Sequence, residues 1–348
     1  MPEIEVDERR REVLRALIRL HVETGEPVGS ESLSRTLNRA LSPATLRNIM
    51  ADLEALGYLD HPHTSAGRLP TDEGYRFYVD TMMERPPLLP GEAAAIASAL
   101  AGREASAAQV MQRASHVLSR LSRHVGFVLA PDIARMSFRH IDLVPLAPPR
   151  VLVVMVSASG LVTQKVIELE ESLGADDLQA CANYLNTHFS GMMLEEIRSR
   201  LVELMREEKA LYDTLLQRVV ALGGLAFAPS DGDASISLDG TSNILSQPEF
   251  DDFERMRNLF RTFEEKSRLL HILNACIAGD GIRVLIGHEN PDPDLRDLSF
   301  VTARCRVEGG SEWGLGVLGS TRMEYAHVVS LVDHVARALS ETLEGLRT

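Results

Sequence analysis

The stretch from Leu41 to Arg76 constrains this chain more than any other. Ser42-Pro43 opens a helix with a hydroxyl at the N-cap and proline at N1, where the missing N–H costs nothing. Leu46, Ile49, Met50 and Leu53 then fall on one helical face. At ~100° per residue the opposite face is Ala44, Asn48, Ala51 and Ala55, flanked by Thr45 and Asp52 on one side and Arg47 on the other. A face built on alanines lets the backbone approach another surface closely. Gly57 ends the helix as a C′ residue. Tyr58-Leu59 begins a strand, His61 to Gly67 turns, and Arg68-Leu69-Pro70 returns, so a β-hairpin directly follows the helix.

The preceding residues supply the rest of a helix-turn-helix. Val13, Leu14, Leu17 and Ile18 form an apolar stripe at helical spacing over 8–22, which Gly25 and Pro27 terminate. Ser30 is expected to cap a short helix in which Leu33 and Leu37 point inward, with Asn38 to Leu41 as the turn. In such motifs the N-terminal part of the second helix reads the major groove. Thr45, Arg47 and Asn48 are therefore the candidates for base contacts, and Arg39 and Ser42 for flanking phosphate. In the hairpin, His63, Thr64 and Arg68 are donors suited to phosphate or the minor groove. A solvated face in a small helical bundle is the plainer alternative, and spacing alone does not choose between them. His61 and His63 have no neighbouring partners for a metal site. Thr71 caps the next helix, whose Tyr75, Tyr78, Val79 and Met82 are expected to pack back onto this domain, and Pro86 to Pro90 reads as a linker.

Charge tests the nucleic-acid reading, because phosphate neutralisation needs local positive charge. The chain has a formal net charge of −14, and its first 80 residues carry ten arginines against fourteen acids. The acids are nevertheless excluded from two windows, 32–51 and 61–71, which are the segments that the motif places against DNA. Cys181, Cys276 and Cys305 have neither disulfide-framework nor zinc spacing, which suits a reducing cytoplasm. No apolar run approaches the ~20 residues that span a bilayer, and the polar N-terminus does not read as a signal peptide.

PVGSESL (27–33), SPATLRNIMADLEALGYL (42–59) and HPHTSAGRLPTDEGYRFYVD (61–80) resemble the signature blocks of the HrcA family of heat-inducible transcription repressors. One departure is Ile49, where family members often carry an acid after Arg-Asn. The resemblance implies a dimeric bacterial repressor that binds double-stranded operator DNA at an inverted repeat upstream of chaperone operons and is kept active by the chaperonin.

The remaining pattern is helical over 92–122, then strand-like at 138–146, 150–156 and 161–169, with Val151 to Val156 continuously apolar as in a strand buried on both faces. Between Asp176 and Ser235 the period is helical, and Ile197, Leu201, Leu204, Leu211, Leu215 and Leu222 lie near heptad spacing. That segment is either a core helix of one domain or, as the resemblance implies, an inserted dimerisation element. A long helix over 248–278, strands near 282–288, 298–307 and 313–319, and a closing helix follow. The fold class expected is α+β multidomain: a winged helix-turn-helix (1–85), a linker (86–92), and a GAF-like domain in two parts (93–175 and 236–348). An inserted, mainly helical dimerisation segment (176–235) interrupts that domain, and the sheet begun at 138 is expected to continue at 282.

Two other functions compete with this reading. An enzyme would need more than His140/Asp142 and His288/Glu289, which strand alternation also produces; no nucleophile elbow or metal triad accompanies them. A GAF-type regulator released from DNA by a metabolite is the second rival, but no cofactor- or ligand-specific motif is present.

Overall fold

The computed structural model describes residues 6–38, 40–62, 67–101, 107–131, 136–158, 160, 162–169, 172–206, 214–227, 236–245, 257, 261–263, 265–277, 279, 281–307 and 311–345. The expected winged helix is present: α1 (Glu8–Thr24), α2 (Ser30–Thr36), α3 (Pro43–Ala55), β1 (Leu59–Asp60), β2 (Leu69–Pro70) and α4 (Asp72–Thr81). β1 and β2 pair antiparallel. Gly25 ends α1 at φ 76°, and Gly57 follows α3 at φ 82°, both in the left-handed region that favours glycine. The Thr71 hydroxyl accepts from the Gly74 N–H and caps α4. One detail differs: Gly29 is the N-cap of α2, and Ser30 is its buried first residue.

Two glycines of the signature blocks are fixed by packing rather than by φ. A Cβ on Gly67 would lie 2.4 Å from the Val28 backbone, and one on Gly74 would lie 2.2 Å from the Tyr58 carbonyl oxygen. That oxygen also accepts from the Thr71 N–H at 3.1 Å, so it is held between strand and helix. Gly74→Ala is expected to destabilise the winged helix by about 1–3 kcal/mol through overpacking. A thermal melt reads this as a lowered Tm, and an unchanged Tm would mean the Tyr58 carbonyl can step aside.

The second part of the chain departs from the expected sheet. α5 (Pro90–Leu100) and α6 (Ala107–Ser122) lead into β3 (Val125–Leu129), then β4 (Phe138–Pro145), β5 (Arg150–Ser157) and β6 (Val162–Glu168). There follow α7 (Ala175–Phe189), α8 (Leu194–Arg206), α9 (Thr214–Ala226), β7 (Ile236–Asp239), α10 (Thr241–Leu245), α11 (Lys266–Cys276), β8 (Ile282–Ile286), β9 (Leu298–Val307), β10 (Ser311–Ser320) and α12 (Tyr325–Gly345). The main sheet is antiparallel in the order β7-β3-β10-β9-β8, whereas β4-β5-β6 form a separate sheet. The sheet begun at 138 therefore does not continue at 282; among the described residues β4, β5 and β6 form a three-stranded sheet of their own. β3 and β7, absent from the sequence reading, start the main sheet.

Packing follows the same division. α6 and α12 cover one face of the main sheet, burying Val110, Val117, Leu331 and Val335 against Trp313, Leu315 and Val317, in a core continuous with that of the winged helix. α10 and α11 cover the other face with Ile244, Leu269 and Leu273 against Phe127, Phe300 and Leu318. The three-stranded sheet has its own core against α7, α8 and α9, built on Ile141, Val153, Leu185, Ile197, Leu201 and Leu222.

Two expectations change as a result. The helix expected over 194–222 is described as α8 and α9, and Ile197, Leu201 and Leu222 of its presumed seam face that internal core. Leu211 and most of 248–265 lie outside the described residues. β5 is buried on one face only: Val151, Val153 and Met155 are buried, whereas Leu152, Val154 and Val156 are half-buried.

The entry and exit of 131–235 are adjacent, because Leu129 pairs with Ile236 at the end of the β3–β7 ladder. The whole β4-to-α9 unit thus hangs from the tip of one strand pair.

Candidate nucleic-acid interface

The first turn of α3 is built as expected. The Ser42 hydroxyl accepts from the Thr45 N–H at 3.1 Å and lies 2.9 Å from the Thr45 hydroxyl. No acid occupies the first turn, so the partial positive charge of this helix end is left unopposed there. Leu46, Ile49, Met50 and Leu53 are buried, while Ser42, Ala44, Arg47, Asn48, Ala51 and Ala55 are exposed. Burial of the four apolar side chains, about 1.5–3 kcal/mol each, fixes the rotation of the helix and so what its outer face presents. That face carries a guanidinium, an amide and a hydroxyl on a floor of alanine methyls.

Of the residues expected to meet DNA, Ser42, Thr45, Arg47 and Asn48 come together on the N-terminal half of α3. Arg39, His63 and Thr64 lie outside the described residues. Arg68 stands apart from these four. Its Nε donates to Glu54 Oε2 at 2.7 Å, and its backbone exchanges hydrogen bonds of 2.9 and 3.0 Å with Val28. Its guanidinium is thus already engaged by a carboxylate of α3. On the other edge of the helix Arg10 Nη2 donates to Asp52 Oδ2 at 2.7 Å, while its Nη1 meets Asp7 at 3.0 Å. The Asp52 hydrogen bond, ahead of the nearby Asp7 charge, raises the already high pKa of Arg10 against the opposing effect of burial. Arg10 was not singled out in the sequence; 42 residues separate it from Asp52, and no local pattern links them.

α4 joins the winged helix to the main sheet. Arg76 donates to Glu289 through Nε at 2.7 Å, to the Val284 carbonyl at 2.6 Å, and to Asp80 at 3.1 Å. Asp72 accepts from the His288 N–H at 3.0 Å. A Cβ on Gly287, whose φ is 53°, would fall 1.6 Å from Asp72 Oδ2. Tyr75, expected to pack within its own domain, lies 5.6 Å from the Tyr325 ring of α12. Beside this joint a cleft of about 680 Å3 opens among Arg15, Arg19, Tyr78, Met323 and Glu324. His288 and Glu289 thus belong to an interdomain contact, and His140 lies 3.3 Å from Asp142 on the exposed face of the smaller sheet. Among the described residues no group of three metal-ligating side chains gathers, and no helix is long and apolar enough to cross a membrane.

Two family models match the chain. One, described as winged helix-turn-helix transcription repressor, HrcA DNA-binding, covers residues 5–82, and the other, HrcA protein C terminal domain, covers 108–329. The heat-inducible transcription repressor HrcA of Geobacter sulfurreducens is 41% identical over 343 residues, 98% of this chain and 99% of its own. That of Syntrophobacter fumaroxidans is 35% identical over 342 residues, 98% of each. A solved structure of a protein described only as hypothetical superposes with a TM-score of 0.65 at 22% identity, covering 98% of this chain and 100% of that one. It supports the fold alone.

Proposed function

Because the chain belongs to the HrcA family of heat-inducible transcription repressors, we propose that it silences chaperone operons as a homodimer on an inverted-repeat operator. The chaperonin keeps it active, and it works in the cytoplasm, where that DNA lies. The observation that carries the reading is the outer face of α3, where Arg47 and Asn48 stand exposed on an alanine floor. Arg47, Asn48 and Thr45 reach base edges in the major groove, while Ser42 and Arg39 meet the flanking phosphates. His63 and Thr64 extend the contact through the wing. The engagement of Arg68 by Glu54 favours a supporting part for that residue over direct phosphate binding.

A symmetric dimer presents two such helices to the two halves of an inverted repeat. Pairing is best served by the outward face of the smaller sheet, not by the leucines of α8 and α9. Cross-strand rows His140–Val156–Val162, Asp142–Val154–Gln164 and Val144–Leu152–Val166 form that face. Val144, Val162 and Val166 are 42–52% exposed. A contiguous apolar sheet face of this kind, with one charged edge, is what an interaction surface requires.

The test is Arg47→Ala in the full-length protein on a duplex from the organism's own chaperonin promoter. A loss of about 1–3 kcal/mol in affinity, with relaxed base preference, is expected if Arg47 reads a base edge. Unchanged affinity and preference would remove it from that role.

A further inference from the structure

We propose that Arg10 and Arg68 are positioning residues that mask the two carboxylates bordering the DNA-facing surface of α3, so that phosphate approaching the helix meets no unpaired acid. The inference rests on the reading of α3 as the helix that faces DNA.

The exposed face of α3 runs through Ala44, Asn48, Ala51 and Ala55. At ~100° per residue, Asp52 lies at one edge, beside Thr45, and Glu54 at the other, beside Arg47. Neither carboxylate is buried, since Asp52 is 38% and Glu54 36% exposed at the side chain. Each would project a negative charge within ~8 Å of the face, inside the distance over which physiological salt leaves charges unscreened.

Each is instead closed by an arginine brought from another element. Arg10 comes from α1 and Arg68 from the residue just before β2, both at 2.7 Å. Both arginines are held from behind. Asp7, the N-cap of α1, takes a second nitrogen of Arg10, and the Val28 bridge fixes the Arg68 backbone. A guanidinium fork holding two carboxylates on separate nitrogens is a task for arginine and not for lysine. Masking explains how a winged helix whose first 80 residues hold fourteen acids against ten arginines presents a face that a polyanion can approach.

The experiment measures binding of full-length variants to the chaperonin-promoter duplex across a salt series, with circular dichroism to show each is folded. Arg10→Ala is expected to bind roughly tenfold more weakly at low salt, from repulsion between the freed Asp52 and several phosphates, with the gap closing as salt rises. Arg10→Ala/Asp52→Asn should recover to within about threefold of the native protein, because the charge that needed masking is gone. Native-like binding by Arg10→Ala overturns the proposal. So does a double variant as weak as the single one, which would assign Arg10 a phosphate contact or a purely structural part. Should Arg10→Ala fail to fold, Arg68→Ala against Arg68→Ala/Glu54→Gln asks the same question on the opposite edge. The triple variant Thr45→Ala/Arg47→Ala/Asn48→Ala separates the two levels. Native-like binding by that variant removes α3 from the DNA, whereas weakened binding by it together with native-like Arg10→Ala removes the masking alone.

Discussion

Replacing residues 131–235 by an Asn-Gly turn is expected to leave a folded monomer whose operator affinity falls roughly 10²–10⁴-fold. Leu129 and Ile236 are direct partners in the β3–β7 ladder, so Ala130 and the inserted Asn-Gly close the gap as a three-residue hairpin loop with glycine at its left-handed position. The excised β4-to-α9 unit takes its own core with it, and neither the core around Trp313 nor that around Phe300 loses a residue to the cut. The loss of affinity follows from geometry. In the proposed dimer two joined winged helices would bind the second half-site as an intramolecular event, and uncoupling them would forfeit a gain of this size. Sedimentation and a binding isotherm on the same preparation check both halves. A truncated protein that still sediments as a dimer would move the pairing surface to the main-sheet domain.

Gly287→Val is expected to uncouple the winged helix from the main sheet. Two effects add. A β-branched residue at φ 53° pays roughly 1–2 kcal/mol for the left-handed conformation, and its Cβ would occupy the space of the Asp72 carboxylate, 1.6 Å from Oδ2. Asp72 must then leave the His288 N–H, and Arg76, one turn further along α4, loses the alignment that gives it Glu289 and the Val284 carbonyl. These contacts are part-exposed, so each contributes on the order of 1 kcal/mol. Together with backbone strain the change amounts to roughly 3 kcal/mol, a large share of the stability of a typical domain. Calorimetry should resolve two transitions in place of one, the winged helix melting first. A single unshifted transition would show that the joint contributes little and that the shared apolar core alone couples the two parts.

What the sequence disclosed divides along the range of the interactions. The winged helix was legible because its signals are local: Ser42-Pro43 at one helix start, Thr71 at another, and Gly25 and Gly57 at two ends. The face of α3 followed from a 13-residue period and was reproduced residue by residue. β3 and β7 were missed because runs of five and four residues carry too little periodicity, and each is defined by a partner about a hundred residues away. That omission misassigned 138–168 to the main sheet. In the candidate site, the placement of Thr45, Arg47 and Asn48 on one half of the helix could be read from α3 alone. The partners of Asp52 and Glu54 could not, since Arg10 and Arg68 reach them through the tertiary fold. His288 and Glu289 looked like a candidate chemical pair on one strand, and their use became visible only when α4 was packed against them.

The most direct measurement is a protection footprint of the full-length protein on its organism's chaperonin-operon promoter, with and without added chaperonin. Two protected half-sites are expected, related by a dyad, separated by whole turns of the duplex, and occupied at lower protein concentration when chaperonin is present. A single protected site without a dyad, or occupancy that ignores chaperonin and is released by a small metabolite, would contradict a chaperonin-maintained dimer reading an inverted repeat through α3.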